Sequence, residues 1–267
     1  NPASKISASY RLRKSMNDSK PFATLVFLHG VNGNSKSWAY QFEHFLSFNV
    51  LAVDAPGYGD SDCIIAGMPV IADELATLLT SLKIITPIIV GHSMGGMLAQ
   101  VFASKHEHLC AGLILSCTHK GYGKHIDTPL DEKFKQRLKE RQDMNNHDFG
   151  KTRVNKMLPD KISAQTHEFL SIIAGEMSLE GIKCSSMAIQ YLDTSKYLEK
   201  LNVPTLIITS ENDAVVKASA QDALERALPN ASIKRLAGVG HAPYCEDPEN
   251  FNKTIEHFIR ITFKVAE

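Results

Sequence analysis

A chain of 267 residues, 43% hydrophobic and 22% charged, is long and apolar enough to bury one large core, and a single α/β domain is the default expectation. Lys+Arg and Asp+Glu both number 29, so the formal net charge is zero. No long-range field then steers the chain onto nucleic acid or an anionic bilayer, no apolar run approaches the roughly 18 residues of a membrane span, and a small molecule is the expected partner.

The amino-terminal stretch 1–20 is polar and lacks the apolar centre of a secretory signal. The chain starts at Asn1 rather than Met, which leaves a removed leader open. Short runs rich in Val, Ile and Leu follow, at Thr24–Leu28, Val50–Val53, Ile88–Val90, Leu113–Leu115, Thr205–Thr209 and Ile233–Leu236. Each ends in turn residues, as buried parallel strands do. Apolar residues at three- and four-residue spacing predict helices over Ala72–Leu82, Met94–Ser104 and Ala218–Leu228. The last helix has Asp247 to cap it, Pro248 in its first turn and an apolar stripe of Phe251, Ile255, Phe258 and Ile259. A doubly wound, mostly parallel sheet follows from this order, its crossovers right-handed.

The alternation of strand and helix breaks between His119 and Lys196, where Asp131–Asp143 is densely charged and Met157, Met177 and Met187 fall on helical patterns. Both flanks rejoin strand-like runs, so 119–196 is read as a helical cap inserted into a core made of 1–118 and 197–267. Cys63, Cys110, Cys117, Cys184 and Cys245 are odd in number and show neither a CxxC pair nor zinc spacing. They are read as free thiols in a reducing compartment, which makes a cytoplasmic location the expectation.

Gly91-His92-Ser93-Met94-Gly95 stands between an apolar run and a helical pattern, the context in which G-x-S-x-G forms a strained turn that presents its serine. A serine hydroxyl needs an imidazole to take its proton and a carboxylate to hold that imidazole in one tautomer. Asp213, after the run 204–209, and His241, in the Gly-flanked loop 238–241 after the next run, supply them. Glu211 occupies the same short loop and competes for the acid role. Asp213 is favoured because Val215 and Val216 behind it can anchor the loop. Oxyanion donors are expected from the N–H groups of Met94 and of Val31, where Gly30 lets the loop 29–33 bend towards substrate. Gly30, Val31 and Met94 are therefore the expected substrate-binding positions. His29 and His92 are read as structural, and Asp54 as the organiser of the turn 54–61.

Taken together, His29-Gly30 with Trp38 downstream, Asp54-x-Pro56-Gly57-x-Gly59-x-Ser61, Gly91-His92-Ser93-Met94-Gly95-Gly96, Glu211-x-Asp213, and Gly240-His241 followed by Glu246-Asp247-Pro248-Glu249 resemble the α/β-hydrolase superfamily. The resemblance implies a serine hydrolase with the triad Ser93, Asp213 and His241. Within it, Met94-Gly95-Gly96-Met97, Leu113–Thr118 and Ser178–Leu192 look like the 3-oxoadipate enol-lactonase and carboxylesterase members. A dicarboxylate substrate of that kind would want a cation in the pocket, for which Lys124, Arg137, Arg141 and Arg153 are candidates. The loop 29–33 departs from the Gly-Pro-rich loop of the carbon–carbon bond hydrolases, and a serine at 93 argues against the dehalogenase and epoxide hydrolase branches.

The expectation is hydrolysis of a small-molecule ester or lactone through an acyl-enzyme, with no metal and no organic cofactor, by a monomer or homodimer. A thioesterase or carbon–carbon hydrolase would use the same residues. A ligand receptor with vestigial turnover is the alternative from another class.

Overall fold

The computed structural model describes residues 6–16, 22–158 and 162–264, so parts of the polar stretch 1–20 lie outside the described residues. In chain order the elements are β1 (Tyr10–Arg13), β2 (Thr24–Leu28), α1 (Ala39–His44), β3 (Asn49–Val53), α2 (Met68–Ser81), β4 (Ile88–His92), α3 (Met94–Lys105) and β5 (Gly112–Ser116). Then come α4 (Glu132–Asp143), α5 (Asn146–Met157), α6 (Ala164–Gly175), α7 (Leu179–Gln190) and α8 (Ser195–Leu198). The chain returns to the sheet with β6 (Thr205–Ser210), α9 (Ala218–Ala227), β7 (Ser232–Leu236), α10 (Pro243–Glu246) and α11 (Pro248–Phe263).

The strands form one sheet in the order β1-β3-β2-β4-β5-β6-β7, parallel except for β1 against β3. Strand direction of growth reverses between β2 and β4, so the loops after those two strands open a crevice at one sheet edge. Alternate residues of each strand feed opposite faces. Leu25, Phe27, Ile88 and Val90 pack with Trp38 and the α11 stripe, while Val26, Leu28, Ile89 and Leu113 pack with α2 and α3. Burial on both faces, at about 1.5–3 kcal/mol per large apolar side chain, is what makes these runs continuously apolar rather than alternating.

The final helix starts where expected, with the Asp247 side chain accepting the Asn250 N–H at 3.1 Å and Phe251, Ile255, Phe258 and Ile259 buried. Two strands differ from expectation. β1 lacks an apolar pattern because it is exposed along its length and is held by backbone pairing to β3. β7 is an edge strand with only Leu236 buried, so Ile233 faces outward.

Among the described residues five helices, α4 to α8, lie between β5 and β6. Met157 and Met187 are helical, but Met177 sits in the link between α6 and α7. The expectation of five free thiols is corrected: Cys63, ahead of α2, forms a disulfide with Cys184 of α7, while Cys110, Cys117 and Cys245 are buried free thiols. The partners are 121 residues apart and meet only because α7 folds back over the core, which spacing along the chain cannot reveal. The inference of a reducing compartment loses that support. Among the described residues, no helix is long and apolar enough to cross a membrane.

Candidate active site

Ser93 joins β4 to α3 with φ 51° and ψ −114°, a conformation that costs a non-glycine residue on the order of 1–3 kcal/mol. Its surroundings over-determine that conformation. The Ser93 N–H donates to the Ser116 carbonyl at 2.9 Å, and the Ser93 carbonyl accepts from Gly96 N–H (3.0 Å), Met97 N–H (3.2 Å) and the Thr118 hydroxyl (2.6 Å). The helix that follows lies so close to β2 that a Cβ on Gly95 would come within 2.1 Å of the Leu28 carbonyl oxygen. Only glycine fits there.

The three distant loops converge. The Ser93 Oγ is 3.1 Å from His241 Nε2, and His241 Nδ1 is 2.9 and 3.0 Å from the two carboxylate oxygens of Asp213. With Nδ1 carrying the hydrogen towards Asp213, Nε2 is left as an acceptor for the serine hydroxyl. All three side chains are buried, that of Asp213 being 1% exposed. Burial alone would raise the Asp213 pKa, but the charge and hydrogen bond of His241 and the N–H groups of Val216 and Val215 outweigh it and hold the carboxyl below its ordinary value. Those two N–H groups donate to Oδ1 at 2.9 and 2.8 Å. The loop is therefore tied by backbone hydrogen bonds rather than by two buried valines, since Val215 is exposed and only Val216 is buried. Glu211 is spent elsewhere, accepting the Gly238 N–H at 2.9 Å.

His241 is held from both sides of its own backbone. Glu246 accepts the Gly240 N–H through Oε2 and the Ala242 N–H through Oε1, each at 2.8 Å. The rings of His92 and Tyr244 complete the packing, with His92 4.8 Å from His241 and 4.9 Å from Tyr244. Burial first, then the charge on His241, pushes the His92 pKa well below its usual value and keeps this ring neutral. Replacing Glu246 by glutamine puts an NH2 group against one of the two N–H donors. We expect Glu246→Gln to cost about 1–3 kcal/mol of stability and to lower kcat more than it changes KM, because His241 is misplaced while the pocket is intact. Denaturant titration beside steady-state kinetics checks both, and an unchanged kcat would exclude a positioning role.

His29 accepts the Ala55 N–H at Nε2 (2.9 Å), so its Nδ1 donates to the Gly30 carbonyl (2.8 Å), and the ring braces two loops. Asp54 receives the Ser35 N–H (2.6 Å) and the hydroxyls of Ser35 (3.1 Å) and Ser9 (2.6 Å). It organises the segment after β2 as well as its own turn.

Ser93 and His241 open onto a cavity of about 630 Å³ that Gly30, Val31 and Met97 also line. A Cβ on Gly30 would sit 3.1 Å from the Ser93 Cβ and 2.9 Å from His92, so this backbone must be bare to pass the serine. Met94 opens α3, where its N–H has no partner within the helix, but its side chain is buried in the core and faces a neighbouring cavity. Met97 takes the wall position instead. That neighbouring cavity, about 220 Å³ and mostly apolar, excludes Ser93 and His241, so the chemistry belongs to the larger one.

Cys117, Asp213 and His241 offer ligand atoms within 4.8 Å of one another. Both ring nitrogens of His241 are engaged, and burial raises the Cys117 pKa and keeps it a thiol, donating to or accepting from Ser210 at 3.2 Å. The cluster is the acid–imidazole pair with a thiol beside it.

Sequence reasoning did not single out Thr118, Glu246 or His119 for the site. His119 lines the cavity, accepts the Gly121 N–H at Nδ1 (3.1 Å) and has its pKa lowered by burial to about 4, so it offers a neutral Nε2–H. Its position just past β5 was the available signal. Of the four cations considered, Arg137 and Arg153 reach the cavity. Lys124 pairs with Asp131, and Arg141 is committed to the Met177 carbonyl at 2.7 Å and Asn146 at 2.6 Å.

The sheet order, the strained serine after β4 and the acid and histidine after β6 and β7 define an α/β-hydrolase architecture. The chain belongs to the α/β hydrolase fold family, whose sequence model matches residues 23–172. It is 26% identical to the AB hydrolase superfamily protein YisY of Bacillus subtilis, over 88% of this chain and 90% of that protein. It is 25% identical to the 2-succinyl-6-hydroxy-2,4-cyclohexadiene-1-carboxylate synthase of Citrobacter koseri, over 94% and 99% of the two chains. Its fold superposes on the enol-lactonase of Burkholderia xenovorans with a TM-score of 0.82 at 19% identity, covering 95% and 96%.

Proposed function

We propose that the protein hydrolyses a carboxylic ester or lactone of a small molecule through an acyl-enzyme on Ser93. The observation that carries this reading is the unbroken hydrogen-bonded line from Asp213 through His241 to Ser93, ending at a cavity. Ser93 Oγ attacks the carbonyl carbon and its proton passes to His241 Nε2, while Asp213 balances the imidazolium charge. The Val31 and Met94 N–H groups receive the oxyanion. Collapse expels the alkoxide, which leaves as the alcohol with the proton from His241. Water then attacks the acyl carbon as His241 takes its proton, and His241 returns that proton to Ser93 Oγ as the acid departs. Residues 119–196 act as a cap that shapes the cavity over the serine, and the core is 1–118 with 197–267. Esterases, lactonases, thioesterases and carbon–carbon hydrolases share the first half of this cycle.

A second reading has the same triad acting on substrate without hydrolysis, and the Citrobacter koseri relative named as a synthase favours it. One experiment separates them. With a p-nitrophenyl ester, a burst of nitrophenolate and an acyl mass increment on the peptide containing Ser93 are expected. Turnover without that increment, or no turnover of any ester or lactone, overturns the proposal.

A further inference from the structure

The segment after β5 serves the reacting serine twice. Thr118 ties its hydroxyl to the Ser93 carbonyl, and the next residue, His119, reaches the cavity that Ser93 and His241 share. His119 is fixed on three sides. Its carbonyl accepts from the side chain of Gln100 at 3.2 Å, and Gln100, fully buried on α3, accepts from the Thr194 hydroxyl at 2.6 Å. Its Nδ1 accepts the Gly121 N–H at 3.1 Å, and its ring packs edge-on against Tyr122 with 4.9 Å between centres. The turn has little slack: Gly121 has φ 91°, and a Cβ there would come within 2.2 Å of the Leu192 carbonyl oxygen.

One polar group is left over. Since Nδ1 is the acceptor, the hydrogen of the neutral ring sits on Nε2, and burial keeps the ring neutral by lowering its pKa to about 4. Among the described residues no group of the protein accepts from that Nε2–H, and the atom is not sealed away as His92 Nδ1 is. It is an immobilised neutral donor, open to the cavity over Ser93.

The sheet order says which part of a substrate this donor meets. β4, which leads into Ser93, lies between β2 and β5. Val31 follows β2 on one side. His119 follows β5 on the other, the side on which Asp213 follows β6 and His241 follows β7. A carbonyl oxygen held by the Val31 and Met94 N–H groups therefore points away from His119. The atom on its side, next to the imidazole that delivers the proton, is the oxygen of the departing alcohol.

We propose that His119 is a catalytic residue whose Nε2–H donates a hydrogen bond to the leaving oxygen of the ester or lactone. When the tetrahedral adduct collapses, the bond from carbon to that oxygen breaks and its electron pair stays on the oxygen. The proton it takes up comes from His241 Nε2, while the hydrogen of His119 stays on its nitrogen and lowers the energy of the developing alkoxide. The gain grows with the negative charge on the oxygen. The substrate class is therefore an ester or lactone of an unactivated alcohol, a statement that rests on the ester-cleaving reading.

The test uses p-nitrophenyl, phenyl and benzyl acetate, which share an acyl group and release alcohols of falling acidity. His119→Phe keeps a ring against Tyr122 and removes the donor. It is expected to lower kcat/KM for benzyl acetate about 10- to 100-fold more than for p-nitrophenyl acetate, the worth of a hydrogen bond to a charged group, with phenyl acetate between them. His119→Gln, which carries a neutral donor, is expected to recover part of the difference. Comparison between esters cancels any general loss of folded protein, and a purely structural histidine would lower all three rates alike. A second measurement uses the wild-type side chain. In protein labelled with nitrogen-15 histidine, Ser93 Oγ displaces p-nitrophenolate from diethyl p-nitrophenyl phosphate, which leaves an ethoxy oxygen where the alcohol departs. The His119 Nε2–H resonance is expected to move downfield in that adduct. Equal losses on the three esters, or an unmoved resonance, overturn the part given to His119 and leave the ester-cleaving reading in place. A wild type that neither turns over any ester nor takes the phosphoryl group overturns both.

Discussion

Ser93→Ala is expected to lower kcat/KM for an aryl ester by about 10⁴- to 10⁶-fold while the protein stays folded. The hydroxyl supplies the bond-forming atom, and among the described residues Cys117, the thiol beside the triad, does not replace it, being buried with a raised pKa and held against Ser210. What survives is binding and oxyanion stabilisation by backbone N–H groups, which the substitution leaves in place. The fold should tolerate the change. The side chain contributes one hydrogen bond, to His241, whereas the elbow is fixed by main-chain bonds to Ser116, Gly96 and Met97 and by the Thr118 hydroxyl. Steady-state kinetics with a parallel melting curve decides the matter, and a variant within tenfold of wild type refutes the nucleophile assignment.

Asp213→Asn is expected to cost about 10⁴ in kcat with little change in shape. Oδ1, 2.9 Å from His241 Nδ1, is fixed as an acceptor by Val215 and Val216, so the amide oxygen takes that place and the NH2 group replaces Oδ2, 3.0 Å from the same nitrogen. A donor then faces a donor. The ring is driven towards the tautomer with hydrogen on Nε2, which cannot accept the proton of Ser93, and no negative charge remains to balance an imidazolium. The same pairing makes a pH prediction. Because the folded carboxyl titrates below its ordinary value of 3.8, its contribution to stability is fully present above that pH and is lost as pH falls through the lower folded value. The wild-type advantage over Asp213→Asn in denaturant titrations is therefore expected near neutral pH and should vanish in strong acid. An advantage that grows with acidity would mean that the carboxylate is not stabilised by its partners.

The strands that flank the site were legible because both of their faces are buried: Thr24–Leu28 has the same bounds in the sequence reading and in the structure. α11 was legible through its cap and stripe. β1 was not, since an exposed edge strand needs only a backbone partner and leaves no apolar mark. The short α1 was missed because most of its six residues are not buried and no stripe results. Ser93, Asp213 and His241 could be found from local context, each following an apolar run at a turn. Glu246 and Thr118 fell within the stretches that carry the family resemblance but could not be assigned their parts, because their contacts are to main-chain groups.

The order of strands and helices, and the residue types at the ends of the strands, followed from the sequence alone, since hydrophobic periodicity and turn chemistry act within a few residues. The tertiary structure decided what acts across long separations: that Cys63 meets Cys184, that Val216 buries while Val215 does not, and that Met97 rather than Met94 faces the cavity. It also decided which cations reach the cavity, for Arg141 is spent on the Met177 carbonyl while Arg137 lines the cavity with its guanidinium 5.9 Å from the centre of the Phe134 ring. Charge and length are the same for both side chains. Only the packing of α4 against its neighbours determines which guanidinium is turned to a main-chain carbonyl and which to the cavity.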